Sequence, residues 1–196
     1  SHEKDEINSS GSYGFIFDFC GLEIDKSTGK VIIDKYVSTH DAGNLLHPEM
    51  VNGQIRGAFS QAVGAALYEE FRYSKEGDFL SGTFADYLVP TANEIPDTCI
   101  LHINTPSPFT PLGSKGVGEG NSMSTPVCIA NAISDAIDEE NIELPMTPPK
   151  VLNLINPKER QPNNLNYEIL DIKRRGSKIG DDTNLWTNIK NKFKGH

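Results

Sequence analysis

Four glycines fall within eight residues at positions 113–120, GSKGVGEG, and no other stretch restricts the fold of this chain as tightly. Gly113, Gly116, Gly118 and Gly120 allow positive φ and a backbone approach that any side chain would block, so the segment reads as a loop laid against something else. Its ionisable groups are one base, Lys115, and one acid, Glu119. A carboxylate carried on bare backbone can pack against a cofactor or substrate, where desolvation raises its pKa and makes it a proton acceptor. Glu119 is therefore the candidate general base, beside the plainer reading of a turn ahead of a helix. The loop matches neither familiar phosphate binder. A Walker loop needs Ser or Thr after its lysine, whereas Gly116 follows Lys115, and glycines 116, 118 and 120 give Gly-x-Gly-x-Gly rather than Gly-x-Gly-x-x-Gly.

The flanking sequence predicts an α+β fold, antiparallel β-hairpins packed with about three helices. Phe15, Phe17 and Phe19 alternate with Ile16 and Asp18, and Cys20, Leu22 and Ile24 alternate with Gly21 and Glu23. The change of parity near Phe19 and Cys20 predicts a bulge. A turn at Ser27–Lys30 returns the chain through a strand over 31–37. A helix over about 48–70 presents Val51, Ile55, Phe59, Ala62 or Val63, and Ala66 on one face, and Gly53, Gly57, Ser60 and Gly64 on another, where a second backbone or a cofactor can come close. A second hairpin is expected over 71–87, turning at 75–78, and a further strand over 98–103. The proline-rich stretch 105–111 is a stiff lead into the glycine loop. Thr125 and Pro126 read as a helix start, as do Thr147 and Pro148.

Composition narrows the function. A net charge of −9 is unsuited to nucleic acid, which needs a basic surface. The balance is uneven: after residue 155 there are nine basic and five acidic residues, so the −13 remainder lies before it. Three units follow: a polar N-terminus over 1–12 expected to be disordered, a body over 13–155, and a basic extension over 156–196 able to wrap a partner. A hydrophobic fraction of 37% is low for a self-contained globule and hints at ordered loops, an unfolded tail or a missing partner. No run of 18 apolar residues and no secretory leader is evident, so the expectation is a cytoplasmic chain without a membrane span. Cys20, Cys99 and Cys128 are widely spaced and read as small buried hydrophobes, and no metal-ligand spacing is found.

Several stretches together resemble one family. DAGNLLHP at 41–48, GQIRGAFSQ at 53–61, LYEE at 67–70, Asp86 with Tyr87, TPSP at 105–108, GSKGVGE at 113–119, ANAISDA at 130–136 and LPMTP at 144–148 are similar to the C-terminal part of the molybdenum-binding subunit of the xanthine dehydrogenase/aldehyde oxidase family. The resemblance covers about residues 13–155. It implies an oxidoreductase that hydroxylates an aldehyde or an N-heterocyclic carbon, with water as oxygen donor and a molybdenum–molybdopterin cofactor in the plain or the dinucleotide form. It assigns the base to Glu119, a cofactor contact to Gln54, and backbone packing against the cofactor to Ser114, Lys115, Gly116, Val117 and Gly118, with Lys115 structural rather than catalytic. The family's molybdenum subunit is several times longer. The resemblance therefore implies a small subunit or a fragment that completes its site with a larger molybdenum-binding chain, alongside iron–sulfur and flavin (FAD) chains. The alternative is a noncatalytic interaction module of the same fold that has lost the cofactor.

Overall fold

Strand β2 (Val31–Asp41) forms the centre of the molecule, paired antiparallel with β1 (Phe15–Ile24) on one edge and parallel with β3 (Thr98–Ile103) on the other. The computed structural model describes residues 11–140 and 142–156, so the expectations for 1–10 and for the extension after 156 lie outside the described residues. The β1–β2 turn is tied by the Asp25 carboxylate, which accepts hydrogen bonds from the backbone and hydroxyl of Ser27 and from Thr28. β3 follows β2 only after helix α1 (Pro48–Leu67). A long crossover of that kind returns a strand in the same direction, so the sheet is mixed and not the all-antiparallel arrangement expected. The expected second hairpin reduces to a single bridge between Tyr73 and Phe79.

The bulge also lies elsewhere than expected. β1 keeps strict alternation along its length, and the register step falls at Gly21/Leu22, where Lys35 and Ile33 are paired and Asp34 is passed over. The extra residue on β2 turns Val31 and Ile33, and then Tyr36, Ser38 and His40, to the same covered face. Helices α1 and α2 (Gly120–Ile137) cover this face, and the short α3 (Pro148–Ile155) adds Val151 to the core. Tyr36 and Phe59 stack with ring centroids 4.2 Å apart, among Val63, Ile129, Ile133 and Met146, all essentially inaccessible. On the opposite face Phe15, Phe17 and Phe19 stand 67, 69 and 62% exposed, with β2 between them and the exposed Leu101 and Ile103 of β3.

α2 begins at Gly120, six residues before the expected first helical position at Pro126. Its cap is Glu119, and Pro126 lies inside the helix. Thr125 does not cap a helix because its hydroxyl is taken by the Tyr36 hydroxyl, which donates to it at 2.8 Å in the core. Cys99 is exposed, and Cys20 and Cys128 are half-buried, so the expectation of three buried cysteines fails. Phe59→Ala removes the ring that Tyr36 stacks on and is expected to cost about 3–5 kcal/mol, read as a shift in the chemical denaturation midpoint.

Candidate functional site

The glycine loop is fastened at its start by one buried carboxylate. Asp41, at the end of β2, accepts through Oδ1 from the backbone N–H of Gly43 at 2.9 Å and of Thr105 at 3.3 Å. Its Oδ2 accepts from the Thr105 hydroxyl and from Lys115 Nζ, the latter at 2.8 Å. Lys115 also donates to Thr105 Oγ1 at 2.7 Å, and its ammonium lies 5.8 Å from the centre of the Phe15 ring. The Lys115 and Asp41 side chains are only 8% and 3% exposed. Burial raises the Asp41 pKa, but the bonds from Lys115, Thr105 and Gly43 outweigh it and hold the carboxyl well below the ordinary range.

Backbone contacts complete the clamp. Gly43 and Ser114 form an antiparallel bridge, Lys115 N donates to Ala42 O at 2.8 Å, and Asn44 donates through its backbone to Gly113 O and through its side chain to Leu112 O. A Cβ on Gly43 would stand 2.2 Å from Gly113 O, and both residues have positive φ, so the approach requires glycine at this crossing. The proline-rich lead doubles back on the loop, with Ser107 N donating to Gly113 O at 3.0 Å and the Thr110 hydroxyl to Ser114 O at 2.9 Å.

Beyond Lys115 the loop opens. A Cβ at Gly116 would meet nothing within 4 Å, Val117 is half-buried, and Gly118 lies under Gln54, whose Nε2 would be 3.6 Å from a Cβ there. Gln54 is exposed on α1. Gly53 and Gly57 also face open space, whereas Gly64 is explained by packing on Glu69 and Pro90. The glycine face of α1 thus divides into a packed end and a bare end, and the bare end adjoins the loop. Glu119 is exposed at the N-terminus of α2, and its carboxylate makes no capping bond to the helix. The first turns of α2 are held to the sheet by Asp18, which accepts from Ser124 Oγ and from Asn121 Nδ2.

The structure therefore brings together Gln54, Gly116, Gly118 and Glu119 around exposed backbone, and turns the Lys115 ammonium inward, away from that surface. Bare backbone with one free amide and one free carboxylate fits a flat, polar-edged heterocycle such as a pterin. The sequence assigns no role to Asp41, Asn44 or Thr105, although the stretches DAGNLLHP and TPSP that contain them carry part of the family resemblance; each sits at a chain crossing that only the folded chain shows. A separate open groove of about 710 Å³ between β1 and α2 is lined by Ile16, Cys20, Met123, Val127 and Cys128, and not by Gln54 or Glu119. Its thiols are poor nucleophiles, because burial pushes Cys20 up to about 12 and Cys128 up to about 11.

Comparison with known proteins finds a matching domain family and several relatives. The model of the molybdopterin cofactor-binding domain matches residues 1–96. The nicotine 6-hydroxylase large subunit of Paenarthrobacter nicotinovorans is 38% identical over 147 residues, covering 74% of this chain and 17% of that subunit. The carbon monoxide dehydrogenase large chain of Afipia carboxidovorans is 34% identical over 137 residues, covering 68% and 17%. Among solved structures, a Cu,Mo-CO dehydrogenase superposes with a TM-score of 0.71 at 30% identity over 74% of this chain and 18% of that one. Quinoline 2-oxidoreductase from Pseudomonas putida 86 does so at 0.68 and 39% identity, over 72% and 18%. The chain spans less than a fifth of the length of these relatives.

Lys115→Met leaves the Asp41 charge buried without its counter-ion and is expected to cost about 3–5 kcal/mol, with Lys115→Met/Asp41→Asn recovering part of the loss. A carboxyl depressed in the folded state adds stability that is complete above its unfolded pKa of about 4 and is lost as pH falls through its native value. Denaturation measured between about pH 5 and pH 2 should therefore show the parent losing stability on acidification, and the Asp41→Asn variant losing less of it.

Proposed function

This chain belongs to the xanthine dehydrogenase/aldehyde oxidase family of molybdenum-binding subunits, matched through their molybdopterin cofactor-binding domain, and we propose on that premise that it supplies the base and one wall of a molybdenum hydroxylase site. The observation that carries this reading is the placement of Glu119: an exposed carboxylate with no capping bond, three residues beyond the open backbone at Gly116 and beside Gly118, on which Gln54 lies. The cofactor, when bound, supplies the oxidising centre and the water-derived oxygen delivered to an aldehyde or N-heterocyclic carbon. Gln54 offers it an amide with both donors and acceptors. The backbone from Ser114 to Gly118 would hold it, with Lys115 contributing main chain while its ammonium braces the loop through Asp41. Glu119 would act as the proton acceptor at its exposed carboxylate. Enclosure by cofactor and substrate would desolvate the carboxylate and raise its proton affinity toward that of a useful base.

The relatives carry more than four-fifths of their length outside the matched part, and the larger molybdenum-binding chain is the partner that suits the outer sheet face, where Phe15, Phe17 and Phe19 stand exposed. Iron–sulfur and flavin chains would take the electrons onward. Among the described residues no helix is long and apolar enough to cross a membrane. The two relatives named for nicotine and quinoline are 38% and 39% identical to this chain, so N-heterocycles come first in a substrate panel, with aldehydes second.

In the assembled, molybdenum-loaded enzyme, Glu119→Gln is expected to lower kcat by about 10²–10⁴-fold with metal and pterin content unchanged. Turnover equal to the parent would remove the base assignment and favour a noncatalytic module of the same fold. Gln54→Ala is expected to lower the pterin retained per chain after gel filtration, at unchanged helix content by circular dichroism.

A further inference from the structure

α2 is fastened along β2 by a ladder of polar contacts. Tyr36, Ser38 and His40 alternate on the covered face of the strand. The first rung is the Tyr36 hydroxyl donating to Thr125, and the second is Asn121 Nδ2 donating to Ser38 Oγ at 2.8 Å. The third position, His40, meets Gly120, the residue next to Glu119. A Cβ on Gly120 would stand 2.9 Å from His40 Nε2 and 2.2 Å from Ile16 Cδ1, so helix and strand are in close contact there.

This third rung is incomplete. His40 is 1% exposed, and neither of its ring nitrogens has a hydrogen-bond partner among the described residues. Asn121 Oδ1, on the neighbouring helical residue, is equally buried and also unpartnered. Buried polar groups are almost always paired, with protein or with ordered water. The two groups have complementary chemistry: a neutral imidazole offers one N–H donor and one acceptor, and the amide oxygen only accepts. One water can accept from the imidazole N–H and donate to the amide oxygen, which meets the minimum of two polar partners for a buried water. Asn121 spends its nitrogen on Ser38 and Asp18, which fixes the amide plane and leaves its oxygen to be met from elsewhere. Burial, with His102 alongside, lowers the His40 pKa against the opposing pull of Asp18 and Asp41, which keeps the ring neutral and both of its functions available.

We propose that His40 and Asn121 Oδ1 hold a single buried water beneath Gly120, and that His40 thereby positions the adjoining Glu119 for proton transfer. The inference rests on the reading of Glu119 as the base. His40 is a positioning residue: it touches the first turn of α2 and acts on the reaction only through that turn.

The test uses the assembled molybdenum enzyme with His40→Phe, which keeps a flat ring without nitrogens, and His40→Gln, which restores a donor and an acceptor. The Phe variant is expected to lose about tenfold or more in kcat with KM within about twofold, since misplacing a catalytic group costs rate rather than substrate binding. The Gln variant should regain a substantial part of that loss. A kcat for His40→Phe within twofold of the parent, or a Gln variant no better than Phe, overturns the positioning role. A high-resolution structure of the parent enzyme should show an ordered water within about 3.2 Å of a His40 ring nitrogen and of Asn121 Oδ1. Its absence overturns the site even where the Phe variant fails to assemble. Full turnover in Glu119→Gln would remove the base assignment alone, and the ordered water would still decide the His40 site.

Discussion

A single carboxylate, that of Asp41, holds three separated parts of the chain in one place. It ends β2, and through it β2 is joined to Thr105 beyond β3 and to Lys115 in the glycine loop. Burying a carboxylate is costly unless its lone pairs are met, and here four donors meet them. Charge-assisted bonds of this kind are each worth roughly 1.5–3 kcal/mol. The arrangement is therefore cooperative: each donor keeps the others' acceptor in position, and a loop with four glycines gains a fixed origin that its own sequence could not provide.

From that origin the loop passes from rigid to open within a few residues. Its first part is paired with residues 42–44 as a short extension of the sheet, while at Gly116 there is no neighbour for a side chain to meet. Order returns at α2, whose first turns are bound to Asp18, Ser38 and Tyr36. Glu119 stands where the open segment ends and the anchored helix begins. A carboxylate there is set by backbone on both sides and makes no capping bond, which suits the proposed role of accepting a proton from a bound group.

The two faces of the sheet treat the chain's apolar residues differently. One face is closed by α1 and α2 around Tyr36, Phe59 and Ile129, and the other leaves a row of three phenylalanines in the open. The chain's apolar residues are divided between an internal core and a row left exposed on the surface, and contiguous exposed apolar patches are uncommon on monomeric proteins.

The sequence by itself determined the local elements. Alternation gave β1 and β2, helical spacing gave α1, the Thr147–Pro148 start gave α3, and the crowding of glycines identified the loop together with its acid, because periodicity and backbone freedom are properties of neighbouring residues. Only the tertiary structure decided which way those elements face. Alternation on β1 cannot say whether Phe17 or Asp18 points inward; the helices that cover one face decide it, and the bulge falls on β2 as a result. A strand over 98–103 carries no mark of its neighbour, and the crossover through α1 sets it parallel to β2. Thr125 and Pro126 look like a helix start, but burial beneath Tyr36 claims the Thr125 hydroxyl and docking on Asp18 carries the helix back to Gly120. Lys115 and Asp41 lie 74 residues apart, and His40 and Gly120 farther still. Contacts over such separations form only when the chain is packed, so the loop could be read from the sequence while what holds it could not.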